Sequence, residues 1–280
     1  MVLPGTSSDA NADDEGGTTT TTSVSPTSTL PPLDRDIYLL GDSTRAAMRW
    51  FVEGTEALKG FRFNINAESC RRIEFSSCKG REERVPSSAH VALENTKKPV
   101  DTVVLMAGYH SSVRELEVEL KRFIKYTEKK NIDVVILTFS ESKKYMQSVS
   151  KTSQKKESTF AVFNRILRKV AERREYSRVM VADWNKFAKG QSEWFRPDGI
   201  HLTVVGVTAL GWFISATIAN LYNGPCPHTN SQMCDLKTLD PSSIDWLSEF
   251  GVRYTDVHCY EDGPRRVSRC EKDRRLVKKK

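Results

Sequence analysis

Residues 36–48 read DIYLLGDSTRAAM, and this stretch decides the fold. Ile37 to Leu40 form a short apolar run without helical spacing, as expected of a strand buried on both faces. From Thr44 to Leu58 the pattern becomes helical, with Gly41-Asp42-Ser43 at the junction. Working outward, four more short runs read as buried strands: Phe61 to Ile65, Thr102 to Met106, Val134 to Phe139 and Val179 to Ala182. Helical patterns fall at Ser112 to Lys129, Phe160 to Arg174 and Val204 to Tyr222; in the first, Val113, Leu116, Leu120, Phe123 and Ile124 make one apolar stripe. Short strands alternating with amphipathic helices predict parallel βαβ units covered on both faces. In such sheets function gathers at the carboxyl ends of the strands. Gly41-Asp42-Ser43, Gly108-Tyr109-His110 and Asp183-Trp184-Asn185 follow the first, third and fifth runs.

The flanks of this region differ from it. Residues 1 to 35 are Thr/Ser/Pro-rich and short of apolar side chains, so a disordered linker is expected. The start carries neither a basic nor an apolar signal-peptide region. Residues 36 to 222 read as one α/β domain, and 223 to 280 as an irregular, cysteine-containing extension with a basic tail. The formal net charge is +7, and residues 265 to 280, with nine basic and two acidic side chains, supply all of it. The remainder balances at 34 against 34, so no nucleic-acid role is expected. No membrane span is expected either, and the protein is read as a monomer. Six cysteines fall in local pairs, Cys70 with Cys78, Cys226 with Cys234 and Cys259 with Cys270. None has a convincing zinc spacing, also when His228 and His258 are counted. Short closed loops suit disulfides in an oxidising compartment, although sequence does not fix connectivity.

Ser43 is the candidate nucleophile. A strand-to-helix turn lifts a hydroxyl clear of the backbone and leaves N–H groups free at the helix start. The alternative is that Asp42 or Ser43 merely caps the helix. Asp198 and His201 stand three residues apart in WFRPDGIHLT (194–203), a Pro/Gly-bounded turn. There a carboxylate can hold one imidazole nitrogen while the other faces a serine. Arg45 and Arg71 read as solvated charges, with binding of an anionic part of a substrate as the alternative; Trp184 and Trp194 read as core, with stacking on a sugar ring as the alternative; His90 reads as a polar helix position. The lysine-rich insert from Ser142 to Ser158 reads as a lid or a solvated loop.

GDSTR (41–45) and DGIHLTVVGVTAL (198–210) give the chain its resemblance to the SGNH, or GDSL-type, hydrolase family, over about residues 36 to 222. CRRIEFSSC (70–78), AGYHS (107–111), VADWNKF (181–187) and EWFRPDGIHLT (193–203) look most like the secreted, cell-envelope-associated SGNH proteins of actinobacteria. The resemblance implies a flavodoxin-like three-layer α/β/α sandwich with a parallel sheet, acting on acyl groups without a metal or organic cofactor. Ser43 would be the nucleophile, His201 the general base and Asp198 its orienting carboxylate. Two departures stand out. The family's Gly-x-Asn block reads Gly108-Tyr109-His110, which makes His110 the candidate substitute for an oxyanion amide, with a second acid/base role or a purely structural one as the alternatives. The glycine after the second strand is missing, leaving the N–H of Ser69 or Cys70 beside that of Ser43 as oxyanion donors.

The expected activity is that of a serine esterase or O-deacetylase on a small-molecule or glycan ester, located outside the cytoplasm. An O-acyltransferase using the same residues, and an SGNH-fold binding protein for anionic polymer, are the alternatives.

Overall fold

The structure is a computed structural model that describes residues 34–80, 83–141, 146–148 and 156–253. Nearly all of the 1–35 leader, most of the lysine-rich insert, Cys259, Cys270 and the basic tail lie outside the described residues.

Five strands, β1 (Asp36–Gly41), β2 (Arg62–Ala67), β3 (Thr102–Met106), β4 (Asp133–Leu137) and a later strand Val179–Ala182, form one sheet. All pairings in it are parallel. Two further short strands, β5 (Met146–Ser148) and β6 (Lys156–Ser158), pair antiparallel outside the sheet, so Val179–Ala182 is β7. The order β2-β1-β3-β4-β7 is the flavodoxin-like one, with its switch of direction beside β1. Five parallel strands with helices on both faces bear out the three-layer α/β expectation.

The two faces follow from strand alternation. Ile37, Leu39, Val104, Met106, Val135 and Leu137 point into one core with α1 (Ser43–Trp50) and, after α2 (Ala89–Glu94), α3 (Val113–Lys129), α4 (Thr159–Ala171) and α5 (Trp184–Phe187), the long α6 (Val204–Leu221). Tyr38, Leu40, Val103, Leu105, Val134 and Ile136 point into the other, beneath α2, α3 and α4. The α3 stripe buries Leu116, Leu120, Phe123 and Ile124; Val113 does not join it and is exposed at the first helical position, beside a Ser112–Glu115 capping box.

The helix expected over 44–58 stops at Trp50, and a 3-10 turn, Val52–Ala57, takes over. Packing against α6 explains the break. A side chain at Gly54 would lie 2.8 Å from Val207, and the Ser215 hydroxyl donates to the Ala57 carbonyl while accepting from Lys59 N–H. The 18 residues of α6 have a mean hydropathy of 1.7, enough by composition to cross a membrane, which the sequence reading overlooked; here 83% of them are buried in the fold. Gly206 is required there, because a Cβ would sit 2.1 Å from the Trp194 carbonyl oxygen.

Past α6 the chain stays on the same core. Cys226 and Cys234 form a disulfide, and Met233, Cys234, Trp246 (in α7, Trp246–Glu249) and Val252 pack into the α1/α6 cluster. Trp212 donates its indole N–H to the Met233 carbonyl at 3.0 Å.

Candidate active site

Gly41 closes β1, and the backbone N–H of Asp42 still donates to the Met106 carbonyl, so the sheet holds the turn. Asp42 is fully buried and is the N-cap: its carboxylate accepts from Thr44 N–H at 3.0 Å, the Thr44 hydroxyl at 2.8 Å and Tyr109 N–H at 3.2 Å. Asp42 therefore caps the helix and pins the loop after β3. Ser43, the first helical residue, is left with its hydroxyl free for another partner.

That partner is His201, whose Nε2 lies 3.0 Å from Ser43 Oγ across a sequence separation of 158. His201 Nδ1 lies 2.7 Å from Oδ2 of Asp198, and Oδ1 of Asp198 accepts from the N–H groups of Ile200 and His201, each at 3.0 Å. The local sequence builds this arrangement. Pro197 fixes one turn dihedral, Gly199 takes the left-handed φ of +74°, and its N–H donates to the Arg196 carbonyl. Phe195 then bridges Leu202 antiparallel, with Arg196 N–H donating to the His201 carbonyl. Ser140 Oγ ties this hairpin to the loop after β4 through the Gly199 carbonyl.

Burial alone would raise the Asp198 carboxyl, but hydrogen bonds from the His201 ring and from the backbone of His201 and Ile200 outweigh it. They hold the group well below the usual carboxylate range. An ionised carboxylate only accepts, so the proton between the two sits on Nδ1. In the neutral ring Nε2 is then the acceptor, and the Ser43 hydroxyl donates to it.

The remaining candidates lie in the segments that follow β2 and β3. Cys70, at φ +68°, forms a disulfide with Cys78, and Ser69 is also buried. No described residue accepts from the N–H of Ser43 or Cys70. His110 is exposed beside that disulfide; its ring nitrogen and both sulfurs lie within 4.8 Å of one another, but joined sulfurs offer no thiolate to a metal. Among the described residues the His110 ring makes no hydrogen bond.

Two expectations need correction. Arg45 and Arg71 are not solvated charges; both are fully buried. Arg71 donates to the carbonyls of Asn66 and Ser87. Arg45 lies along Gly41, where a Cβ would meet its stem at 2.5 Å, and among the described residues its guanidinium nitrogens have no hydrogen-bond partner. Burial pushes Arg45 down to about 9 against the opposing charge of Asp42. Trp184 and Trp194 are core residues as expected, stacked with centroids 5.6 Å apart. His90 is on α2, its Nδ1 2.9 Å from Glu74. The sequence reading passed over Asp42 as a tether and Glu119, fully buried in α3, as a partner of both loops beside the site. The only signal for Glu119 was an acidic residue next to Leu120 on the apolar stripe.

Fold and site together define a flavodoxin-order α/β protein with a serine, an imidazole and a carboxylate in a row at the carboxyl edge of its sheet. No protein-family model matches the chain. Over 47 residues, 17% of this chain, it is 51% identical to proteins of Staphylococcus aureus strains MSSA476 and MW2 described as "Putative O-acetyltransferase", and spans 8% of their length. Similar solved structures include the C-terminal catalytic domain of the Streptococcus pneumoniae peptidoglycan O-acetyltransferase A (21% identity, 68% of this chain and 94% of that one, TM-score 0.46). A carbohydrate esterase family 3 protein from Talaromyces cellulolyticus is another (16% identity, 68% and 98%, TM-score 0.45).

Proposed function

We propose that the protein is a serine esterase or O-deacetylase of the SGNH type, acting on a carboxylic ester, with an acylated glycan as the favoured substrate class. The observation that carries this reading is the unbroken row Ser43 Oγ–His201 Nε2, His201 Nδ1–Asp198 Oδ2, at 3.0 and 2.7 Å. His201 takes the Ser43 proton as the oxygen attacks the ester carbonyl, and Asp198 holds the ring and balances the imidazolium. His201 returns that proton to the departing alcohol. Water, deprotonated by His201, then attacks the acyl-serine and releases the acid.

The developing oxyanion is received by the N–H groups of Ser43 and Cys70. The Ser43 group sits at the positive end of α1, and both are without an acceptor among the described residues. Ser69 is the alternative donor in the same turn, and His110 a third, side-chain donor. The disulfides Cys70–Cys78 and Cys226–Cys234 suit a place outside the cytoplasm.

Turnover of p-nitrophenyl acetate by the parent, Ser43→Ala and His201→Ala tests the reading. Each variant should fall by about 10⁴-fold or more. Equal rates for all three would end the proposal. The short likeness to the Staphylococcus aureus proteins favours one second reading, transfer of the acyl group to a sugar hydroxyl in place of water. An acyl donor supplied with a glycan acceptor separates the two; free acid as the sole product excludes transfer.

A further inference from the structure

Glu119 stands apart from other buried groups in this molecule. It lies in the middle of α3 with no exposed surface, the one charged side chain on a buried face made of Leu116, Leu120, Phe123, Ile124 and Thr127. A buried carboxylate is unfavourable unless its oxygens are fully engaged. Oε2 accepts from the N–H groups of Ile73, at 3.0 Å, and Glu74, at 3.3 Å. Oε1 accepts from Arg72 Nε at 3.0 Å, from Arg72 Nη2, and from the Ser111 hydroxyl at 3.3 Å.

These donors belong to two different loops. Arg72, Ile73 and Glu74 follow Cys70 in the segment after β2, and Ser111 follows His110 in the segment after β3. We propose that Glu119 is a positioning residue for the oxyanion side of the site: one carboxylate on α3 sets the Cys70 turn and the His110 turn against each other. The inference rests on the esterase reading above for its functional half. Its structural half, the tying of the two loops, stands on the contacts alone. Glu119 touches none of the triad, so it acts on where the donors stand and leaves the Ser43–His201 proton path untouched.

The physical consequence is specific. Glutamine at 119 keeps the volume but offers one acceptor oxygen and an NH2 that faces other donors, so one loop loses its hold. Displacing a donor by a fraction of an ångström to an ångström costs up to about 100-fold in rate. Substrate binding contacts made elsewhere are retained, so the loss falls on kcat.

The test compares the parent, Ser43→Ala, Glu119→Gln and Ser111→Ala, with active sites counted by a fluorophosphonate endpoint titration. Per titrated site, Glu119→Gln is expected to lose about 10- to 100-fold in kcat with KM within about 3-fold. Its inhibition constant for phenylboronic acid, whose tetrahedral adduct uses the same donors, should weaken in step. Ser111→Ala, which frees one loop only, should lose about 2- to 10-fold, matching one hydrogen bond. A merely structural role would lower the titrated fraction and leave kcat per site and the boronate constant at parent values, and that result overturns the proposal. Amide hydrogen exchange at Ile73 and Glu74 is read on the same samples and should quicken in Glu119→Gln; unchanged exchange also overturns it. If the parent proves no faster than Ser43→Ala, the esterase reading fails and takes the catalytic role of Glu119 with it, while the exchange data still decide whether Glu119 holds the loops.

Discussion

The Asp198–His201 hairpin and the Cys70–Cys78 loop both stand at the carboxyl edge of the sheet near Ser43, yet they are held by different means. The hairpin is local. Four consecutive residues, Arg196 to Gly199, dictate the turn, and the Asp198 carboxylate is satisfied by its own neighbours. The Cys70 loop is stapled across eight residues and anchored by Glu119, 41 positions beyond Cys78. A turn that carries its own hydrogen bonds can be recognised from a decapeptide. A loop positioned by a buried carboxylate on a distant helix cannot, because the signal is a single acidic residue in an amphipathic pattern.

The comparison predicts unequal sensitivity. Asp198→Asn leaves the hairpin nearly isosteric but lets the His201 ring take the wrong tautomer, so turnover should fall about 10⁴-fold in protein that still folds. A fall below 10-fold would remove Asp198 from the mechanism. On the opposite side, His110→Ala should cost about 100- to 1000-fold if the imidazole is an oxyanion donor. A change under 3-fold would leave the backbone N–H groups as sufficient donors.

Away from both loops, Cys226→Ser paired with Cys234→Ser removes a staple that closes a short chain segment behind α6. Chain-entropy reasoning puts the loss at about 2–3 kcal/mol in urea unfolding, with kcat per folded molecule unchanged. A loss of activity greater than that of folded protein would mean that this extension reaches the site.

The smallest effect expected is on acid stability. Because the folded protein holds the Asp198 carboxyl below its ordinary value, its contribution is complete above about pH 4 and is lost as pH falls further. The melting-temperature advantage of the parent over Asp198→Asn at pH 6 should therefore shrink below about pH 4. A constant advantage down to pH 3 would show that the carboxylate charge is not what the fold stabilises.

Much of the architecture was legible because parallel strands buried on both faces must be short apolar runs, and the runs at Thr102–Met106 and Val179–Ala182 match the strands residue for residue. The first helix was read too long because its second half is apolar enough to continue. Only α6, pressing on Gly54 and Ala57, turns it into a 3-10 segment. Arg45 and Arg71 misled in the opposite sense. A charged side chain is usually solvated, and nothing in a linear pattern marks the exceptions that fill a core.

By itself the sequence determined the strand and helix alternation, the turn that presents Ser43, and the hairpin that orients His201 toward a carboxylate, since each depends on contacts between residues a few positions apart. The tertiary structure alone decided that Ser43 and His201 meet, that Asp42 binds the β3 loop, and that Glu119 gathers two loops. These depend on how strands separated by long crossovers lie side by side, and the distance between such segments is set by packing rather than by any spacing along the chain.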